Sequence, residues 1–380
     1  MTSFSSVAIV GAGLAGLSCA QALRSAGLQV TVLDKSRGVA GRMSTRRGEG
    51  WQADHGAQYF TARDPAFAAE VARWMAAGVA APWTPHIAVL GGDDPLRDVR
   101  GSLGGVVSGG DSGGAVGGAL GGPGEGGLVR HVGVPRMTSP AQWLAEGLGV
   151  RTGHTVQSVQ HDGTQWRLGT AEHGWLPEAF DALVLAMPAP QADTLLRQGV
   201  TELDGAGAET HAGVHAGARA LADVAAAVTM RGCWALMLRF DAPVDLPFDA
   251  AFVNAGPLRW MARDSHKPGR PASASASAFG GETWVLHASA EWSEAHIEDT
   301  PEAASQALLA AFAGWGGPSP AACTAHRWRY ADSLPPPTGL RHWLPELGLG
   351  LCGDWLAAGK VEGAWLSGQA LAMQVLGRQV

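Results

Sequence analysis

The amino-terminal segment decides the fold: residues 7–34 read VAIVGAGLAGLSCAQALRSAGLQVTVLD. Its first four residues are apolar and predict a short buried strand. Residues 14–26 predict a helix, and residues 29–33 predict a second strand that is rich in β-branched residues. The segment therefore predicts a strand–helix–strand unit, and with it an α/β fold built on a mostly parallel sheet.

A glycine motif joins the first strand to the helix. Residues 11–16, GAGLAG, match G-x-G-x-x-G, with a predicted strand before them and a predicted helix after them. The first glycine permits a tight turn, the second lets the backbone approach a pyrophosphate, and the third lets helix and strand pack closely. The helix N-terminus then faces the phosphates. We therefore predict dinucleotide contacts at Gly11, Ala12, Gly13, Ala15 and Gly16.

An acidic residue, Asp34, closes the second predicted strand. A carboxylate at this position can hydrogen-bond the ribose hydroxyls of a bound dinucleotide. A glycine motif alone could be a structural turn, but the two strands, the helix and the acid together favour nucleotide binding. Lys35 follows Asp34 and is predicted to contact the same ligand.

The composition limits the classes of protein and partner that fit. Hydrophobic residues make up 46% of the 380 residues and charged residues 16%, which predicts a large core and excludes a disordered chain. The formal net charge of −7 provides no general basic surface for nucleic acid or for an anionic membrane. No apolar run approaches the ~18 residues of a membrane-spanning helix, and no secretory signal precedes the first strand. The four cysteines lack zinc-ligand spacing, so we expect a cytoplasmic protein without a metal.

Two segments depart from the regular pattern of strands and helices. Residues 101–127 are dominated by glycine and are predicted to be a flexible insertion. Residues 203–227 are rich in alanine and glycine, and we predict a second flexible insertion there, with a frayed surface helix as the alternative.

The segment after Asp34 bears on which dinucleotide is bound, because NAD and FAD share the motif described above. Residues 38–45, GVAGRMST, form a glycine turn that carries an arginine. Gly41, Arg42 and Met43 are predicted cofactor contacts, with Arg42 on the phosphates. The basic residues of this region could instead form a plain surface loop or bind a 2′-phosphate. Because Asp34 disfavours a 2′-phosphate, we predict FAD.

Residues 38–45 resemble the G-x-G-G-R-x-[ST] segment of amine-oxidase-like FAD proteins, with Ala40 in place of a glycine. Residues 54–61, DHGAQYFT, make the resemblance more specific, since together with GRMSTRR at 41–47 they are similar to the renalase family of flavoproteins. Bacterial renalase-like sequences share the content and order of four further segments, namely 133–137, 261–270, 284–288 and 326–331. The resemblance covers nearly the whole chain outside the two insertions.

The resemblance implies a Rossmann-type FAD-binding domain with a mostly parallel sheet. It also implies a substrate domain with a mixed or antiparallel sheet, as in p-hydroxybenzoate hydroxylase and the amine oxidases. From the positions of the motifs we predict a discontinuous FAD-binding domain of residues 1–65, 130–190 and 340–380. Residues 66–129 and 191–339 would then form the substrate domain.

The carboxyl-terminal segment resembles the closing flavin contact of this class. Residues 352–355, CGDW, precede a predicted helix from about residue 361, whose N-terminus would stabilise the flavin edge that becomes negative on reduction. Asp354 can bond the ribityl or phosphate end, or alternatively only cap a turn. Val156 could present its backbone to the adenine, or be an ordinary core valine. The further contacts implied for a non-covalently bound FAD are Gly56, Ala57, Gln58, Val156, Gly353, Asp354, Val361 and Glu362.

The resemblance also implies an activity. Renalases oxidise isomers of dihydro-NAD(P) that carry the hydride at ring position 2 or 6; they return NAD(P)+, and O2 is reduced to hydrogen peroxide. A dihydropyridine expels hydride without prior deprotonation, so we expect no essential acid or base, and the protein has to orient the ring and exclude water. Each candidate for orienting the carboxamide, ribose or phosphate could instead be a structural hydrogen-bonding residue; the candidates are Gln58, Tyr59, Arg136, His287, Arg329 and Tyr330.

Two other functions remain open from the sequence. A FAD-dependent amine oxidase of the same fold would act on a small amine, and such enzymes commonly place aromatic rings about the flavin and often a lysine near it. Lys267 and Lys360 are the lysines beyond the first strand–helix–strand unit, and neither sits in a recognisable form of that arrangement. A non-catalytic FAD-binding protein would bind flavin without turnover.

Overall fold

The structure, a computed structural model, describes residues 4–91, 96–98, 129–201, 208–270, 281–335, 342–357 and 359–378. The chain divides into two compact units, each assembled from separate parts of the sequence. The first unit comprises Met1–Arg42, Ala141–Met230 and Ser333–Val380, and the second comprises Met43–Pro140 and Arg231–Asp332. The predicted flexible insertion at 101–127 lies outside the described residues.

The described chain contains both strands and helices. The strands are β1 (Ser6–Val10), β2 (Gln29–Asp34), β3 (Arg46–Gly48), β4 (Trp51–Ala53), β5 (Ala80–Pro82), β6 (Ile87–Leu90), β7 (Leu96–Asp98), β8 (His131–Gly133), β9 (Gly149–Thr152), β10 (Val156–His161), β11 (Trp166–Thr170), β12 (Gly174–Phe180), β13 (Ala182–Leu185), β14 (Met230–Phe240), β15 (Ala250–Val253), β16 (Leu258–Arg263), β17 (Glu282–Ala288), β18 (Ala322–Ser333), β19 (Trp343–Leu344) and β20 (Leu349–Leu351). The α-helices are α1 (Leu14–Ser25), α2 (Pro65–Ala76), α3 (Ser139–Ala145), α4 (Ala189–Thr194), α5 (Ala208–Ala226), α6 (Ala290–Ala295), α7 (Pro301–Gly314) and α8 (Lys360–Val375). None of these helices, over the residues described, combines the length and apolar character needed to cross a membrane.

A six-stranded sheet forms the centre of the first unit, in the order β19-β20-β13-β1-β2-β9. Its strands are parallel except for β19, which pairs antiparallel with β20 at one edge. The central strand β1 is buried from Val7 to Val10 and pairs with β13 on one side and β2 on the other. The predicted mostly parallel sheet and its first strands are therefore confirmed. A three-stranded antiparallel sheet, β10-β11-β12, also belongs to this unit.

Glycines allow the close approaches that this sheet and its helices require. At Gly11, where φ is +115°, an added Cβ would collide with the carbonyl oxygen of Ala186. At Gly16 it would collide with the carbonyl oxygen of Gly11, and at Gly368 of α8 with that of Ala15 in α1. A side chain at any of these three positions would push β1, α1 or α8 apart, so their backbones are packed in direct contact.

The structure corrects the prediction for residues 203–227. The described part of this segment is α5, a 19-residue helix, and not a flexible insertion. Val214, Ala218, Leu221 and Ala225 are buried in the core of the first unit. Their spacing of three or four residues is the amphipathic pattern of a packed helix, which the high content of alanine and glycine had hidden.

A seven-stranded sheet forms the centre of the second unit, in the order β18-β14-β17-β16-β15-β6-β7. The sheet is mixed, because β6 and β15 are parallel whereas β15, β16, β17 and β14 pair antiparallel in turn. Leu308 and Phe312 of α7 pack with Trp234 and Trp284 of the sheet in one apolar core. The mixed sheet predicted for the substrate domain is confirmed.

The compact units differ from the predicted domain boundaries, most extensively at two segments. Residues 43–65 belong to the second unit, where Trp51 packs with Met237 and Val285 of its sheet. Residues 191–230 belong to the first unit, because the apolar face of α5 shares a core with the strands of its sheet.

Candidate functional site

The glycine loop of the first unit leaves open space in front of a helix N-terminus. β1 ends at Val10, and α1 begins at Leu14 with Gly13 as its N-cap residue. No described side chain caps this helix, and its first turn holds no acidic residue. A Cβ added at Gly13 would meet no described atom within 4 Å. Backbone N–H groups and the positive end of the helix dipole therefore face free space, which fits an anionic group such as a pyrophosphate.

Asp34 holds the glycine loop in place at the end of β2. Its Oδ2 accepts a hydrogen bond from the backbone N–H of Ala12 at 2.7 Å, and its Oδ1 accepts one from the backbone N–H of Ser36 at 2.7 Å. Each carboxylate oxygen can accept a further bond, so the residue remains suited to ribose hydroxyls. The side chain of Asp34 is half-buried, whereas the neighbouring Lys35 is exposed.

An ion pair joins two predicted cofactor residues that lie far apart in sequence. Arg42 donates from one terminal nitrogen to Asp354 Oδ2 at 3.0 Å and from the other to Oδ1. Such a bidentate pair fixes both side chains in one plane. Gly41, with φ at +51°, turns the chain just before Arg42, and a Cβ there would lie 3.3 Å from the Cα of Gly13. The arginine turn is therefore held against the glycine loop.

A second helix N-terminus belongs to the same sheet. β20 runs parallel to β13 and β1, so the loops that follow these strands leave the sheet at one edge. After β20 the backbone N–H of Gly353 donates to Ser367 Oγ at 3.0 Å, and α8 then begins at Lys360 without a side-chain cap. In its first turn Val361 is buried, and Glu362 is half-buried. Open α/β sheets bind their ligands at this carboxyl edge.

The structure brings one set of predicted cofactor residues together in the first unit. That set is Gly11, Ala12, Gly13, Ala15, Gly16, Asp34, Lys35, Gly41, Arg42, Gly353, Asp354, Val361 and Glu362. Val156 begins β10 of the same unit and packs against its core. Met43, Gly56, Ala57 and Gln58 belong to the second unit.

Cys352, just after β20, is a buried thiol. Its side chain hydrogen-bonds with the thiol of Cys19, and this contact together with burial raises the pKa of Cys352 well above its ordinary value. A protonated thiol is a poor nucleophile, which agrees with a cofactor that is held without a covalent bond.

Four charged side chains of the second unit form a buried ionic cluster: Asp54, Asp264, Lys267 and Arg270. Lys267 Nζ lies 2.7 Å from Asp264 Oδ1 and 3.5 Å from Asp54 Oδ2, to which Arg270 also donates. Burial by itself would raise the pKa of Asp54, but Lys267 and Arg270 outweigh it and hold this pKa below its ordinary value. Burial and the nearby charge of Asp54 raise the pKa of Asp264. Two cations balance two carboxylates, so the charge of Lys267 is matched within the protein.

Gln58 is engaged within the second unit. Its Nε2 donates to the backbone carbonyls of Asp54 and, at 3.2 Å, of Gly56. Its Oε1 accepts from Lys267 Nζ and from Trp260 Nε1, each at 3.3 Å. The predicted cofactor and substrate role of this amide would therefore require it to exchange internal hydrogen bonds.

Three histidines and a tryptophan of the second unit form a histidine–tryptophan cluster: His55, His287, His326 and Trp328. The ring of His55 stacks on Trp328 with centroids 5.1 Å apart and meets the ring of His326 edge-on at 4.6 Å. The carbonyl oxygen of His55 accepts from Trp328 Nε1 at 2.9 Å and lies 3.1 Å from His287 Nε2. A carbonyl oxygen only accepts hydrogen bonds, so His287 carries its proton on Nε2. The guanidinium of Arg46 only donates, and it lies 3.4 Å from His326 Nδ1. His326 therefore accepts at Nδ1 and also carries its proton on Nε2.

All three imidazoles are neutral at physiological pH. Burial, with contributions from His326 and Arg46, lowers the pKa of His55 to about 3. Burial and the charge of Arg259 lower the pKa of His287 to about 3, and burial with the charge of Arg46 lowers that of His326 to about 4. The cluster thus offers hydrogen bonds without charge. Within the described part of the chain, no group of three or more His, Cys, Asp or Glu residues is placed to hold a metal ion.

Tyr59 lies in a separate aromatic group with Trp83 and Trp260, at centroid distances of 6.1 and 5.7 Å. The guanidinium carbon of Arg130 lies 5.3 Å from the centre of the Tyr59 ring, and Lys267 Nζ lies 5.6 Å from that of Trp83. The protein's own cations therefore already cover aromatic faces of this group.

The other predicted substrate residues are not brought together. Arg329 makes an ion pair with Glu298 at the surface, with nitrogen–oxygen distances of 2.6 and 2.9 Å. Successive residues of a strand face opposite sides of its sheet. Tyr330 consequently shares the face of β18 that carries Trp328, and Arg329 does not. Arg136 is half-buried before α3.

Sequence reasoning missed several residues of these clusters, namely Asp54, His55, Arg270 and His326. All of them lie in segments that carried the family resemblance. His326 stands two positions before Trp328 on one strand, so the alternation of strand faces was a signal that could have placed both on one side.

Comparison with protein families gives two matches. Residues 9–74 match the NAD(P)-binding Rossmann-like domain, and residues 108–376, well over half of the chain, match the family of flavin containing amine oxidoreductases. The chain belongs to the flavin containing amine oxidoreductases. Membership confirms the predicted α/β fold and FAD as the cofactor, and it agrees with the prediction of a FAD-dependent oxidoreductase. The open glycine loop, the two uncapped helices and Asp34 fit that cofactor.

Curated relatives match short stretches of the chain. An L-amino-acid oxidase of Sistrurus catenatus edwardsii is 56% identical over 50 residues, which is 13% of this chain and 10% of that protein. An L-amino-acid oxidase of Siganus canaliculatus is 39% identical over 83 residues, 21% of this chain and 15% of that protein. The matched stretch thus spans only about 10 to 15% of these relatives' length.

Solved structures share the fold over nearly the whole chain. Putrescine oxidase with bound putrescine has a TM-score of 0.65 and is 16% identical in sequence. Cyclohexylamine oxidase from Brevibacterium oxydans IH-35A also has a TM-score of 0.65 and is 15% identical. Each of these matches covers 98% of this chain and 99% of the other protein's chain. A protein from Exiguobacterium sp. 255-15, described as a protoporphyrinogen oxidase, has a TM-score of 0.70 at 15% identity over the whole of both chains. Identities this low establish the fold alone.

The substitution Gly13→Ala tests whether the open space before α1 receives the dinucleotide. The added methyl meets no described atom, so the apoprotein should fold as the wild type does. Its affinity for FAD should fall by roughly tenfold or more, about 1.4 kcal/mol, because the methyl blocks the approach of the pyrophosphate. Titration of the apoprotein with FAD, followed by flavin fluorescence, measures the change. Gly314→Ala, which also adds a methyl in open space, is the matched control, and wild-type affinity in Gly13→Ala would contradict the assignment.

The lowered histidine pKa values predict a loss of stability in mild acid. In the unfolded chain the His55 side chain becomes protonated below its ordinary pKa of about 6.5. In the folded protein it stays neutral down to about pH 3. The folded state is therefore favoured fully above pH 6.5 and progressively less as the pH falls. His55→Gln should shrink the loss of unfolding free energy between pH 7 and pH 5 by about 2 kcal/mol. Urea denaturation at both pH values measures this loss. The loss of unfolding free energy should be the same in the wild type and in the control variant His173→Gln, whose side chain is exposed. If His55→Gln loses as much unfolding free energy as the wild type does, the buried neutral state of His55 is refuted.

Proposed function

We propose that this chain is an oxidase of the renalase type, which oxidises the 2- or 6-dihydro isomers of NAD(P)H to NAD(P)+. Such a substrate combines anionic phosphates with an uncharged ring that carries a carboxamide. The proposal depends chiefly on one observation: the buried carboxylates of Asp54 and Asp264 in the second unit are already paired with Lys267 and Arg270.

The charge pattern favours an anionic substrate over an ammonium ion. The carboxylates of Asp54 and Asp264 are balanced by Lys267 and Arg270. The ring of Tyr59 lies beneath the guanidinium of Arg130. An amine enters as an ammonium ion, which needs a carboxylate or an uncovered aromatic face, whereas phosphates need cations and hydrogen-bond donors.

The proposed reaction asks for positioning and not for proton transfer by a side chain. A bound FAD would supply the acceptor for the hydride, and O2 would be the final acceptor of the electron pair. The balance is dihydro-NAD(P) + O2 + H+ giving NAD(P)+ + H2O2, with the proton taken from solvent. The neutral imidazoles of His55 and His287 and the ion-paired Lys267 suit such a reaction, because the ring loses hydride without a base.

An amine oxidase is the second candidate, and the family match favours it. Two of the proteins that share the fold are described as oxidases of putrescine and cyclohexylamine, and the matching relatives as L-amino-acid oxidases. In this alternative a substrate ammonium ion would have to lose its proton and then displace the cations that cover the aromatic group.

Anaerobic reduction of the purified flavoprotein separates the candidates. Mixing with saturating 6-dihydro-NAD in a stopped-flow instrument should bleach the flavin absorbance, because hydride leaves the dihydropyridine directly. Ordinary 4-dihydro-NAD, putrescine and cyclohexylamine are the comparison substrates and should bleach it far more slowly. Reduction by the amines but not by the 2- or 6-dihydro isomers would establish the second candidate. Reduction by none of them would leave a protein that binds FAD without turnover.

A further inference from the structure

The histidine–tryptophan cluster contains hydrogen-bonding groups that the fold itself does not use. His55 is only 5% exposed, and its Nδ1 is buried without a hydrogen-bond partner among the described residues. An unmet polar group of this kind costs about 1–3 kcal/mol. Buried polar groups are paired in the great majority of cases, so this cluster is a place where the described contacts leave hydrogen bonding incomplete.

The neighbouring rings present one acceptor and one donor. His287 uses Nε2–H to reach the carbonyl of His55, which leaves Nδ1 as a lone pair on a half-buried ring. His326 uses Nδ1 to accept from Arg46, which leaves Nε2–H as a donor on a half-buried ring. These two tautomers place an acceptor at His287 Nδ1 and a donor at His326 Nε2.

The sheet topology places these two rings on one side of a small residue. β14 lies between β18, which carries His326, and β17, which carries His287. The residue of β14 paired with His287 is Ala235, whose methyl group leaves room between the flanking strands. His55 completes the arrangement, since its carbonyl contacts His287 and its ring contacts His326.

We propose that this cluster binds a primary carboxamide, with the amide N–H donating to His287 Nδ1 and the amide oxygen accepting from His326 Nε2–H. The inference rests on the proposed function, because the carboxamide is that of the nicotinamide ring. It assigns a ligand contact to His326 and a positioning role to His55, whose carbonyl contacts His287 and whose ring contacts His326.

The donor and acceptor pattern discriminates an amide from its charged relatives. A carboxylate has acceptors only, so one of its oxygens would face the lone pair of His287 Nδ1. An ammonium ion has donors only, and it would meet the Nε2–H of His326 and the positive charge of Arg46. An amide satisfies both rings at once without adding charge to a half-buried site.

Binding of oxidised dinucleotides to the FAD-loaded protein tests the inference without turnover. Calorimetric titration should show NAD+ binding roughly tenfold or more tightly than nicotinic acid adenine dinucleotide, since the acid loses one hydrogen bond. His287→Phe should abolish this preference, and His287→Gln, which keeps an acceptor, should restore part of it. His296→Gln, a histidine of the same unit outside the cluster, is the matched control and should keep the wild-type ratio.

The possible outcomes separate this inference from the proposed function. No binding of NAD+, equal affinity for the two dinucleotides, or an unchanged preference in His287→Phe would each overturn the carboxamide site, whatever the flavin reduction experiment shows. Should His287→Phe fail to retain FAD, His326→Phe takes its place: it removes the donor to an oxygen that both dinucleotides carry, so it should weaken the binding of both and leave their ratio unchanged, and wild-type affinity for both would overturn the site. A preference lost in His287→Phe together with flavin reduction by 6-dihydro-NAD supports both the site and the function.

Discussion

Direct backbone contact at the carboxyl edge of the parallel sheet is the constraint on which the first unit depends. Gly11 lies against the carbonyl of Ala186, and Gly16 lies against the carbonyl of Gly11, at distances that no side chain allows. The same absence of side chains leaves the N-terminus of α1 uncapped and the space before Gly13 open. Packing and anion binding therefore have one cause, because the residues that let the strands and helix close together also expose the amide groups that face the ligand.

The second unit contains buried polar groups whose charges are neutralised within the protein. Burying Asp54 and Asp264 is costly unless each is paired, and Lys267 and Arg270 provide that pairing. Burial also keeps the cluster histidines unprotonated. The neutral imidazoles of the cluster offer uncharged donors and acceptors, which is the chemistry that a neutral ring with a carboxamide needs.

The fold of the first unit could be predicted from a short stretch because local pattern and motif agree there. Residues 7–34 carry the strand period, the helix period and the glycine spacing together, and the structure follows them. The prediction was wrong at α5, because alanine and glycine conceal an amphipathic face whose partner strands lie elsewhere in the chain. The clusters of the second unit join residues far apart in sequence, such as Asp54 with Arg270 and His55 with His326. No local period encodes those contacts, so they become visible only when the sheet brings the strands together.

Two uncapped helix N-termini at one edge of the sheet, those of α1 and α8, are expected to hold the dinucleotide. Amide hydrogen exchange, compared between the apoprotein and the FAD-loaded protein, tests this most directly. FAD should slow exchange at Gly13 to Gly16 and at Val361 to Gly363, while exchange at the amides of α5 should stay unchanged. Protection that excludes both helix N-termini, in a protein shown to bind FAD, would contradict it.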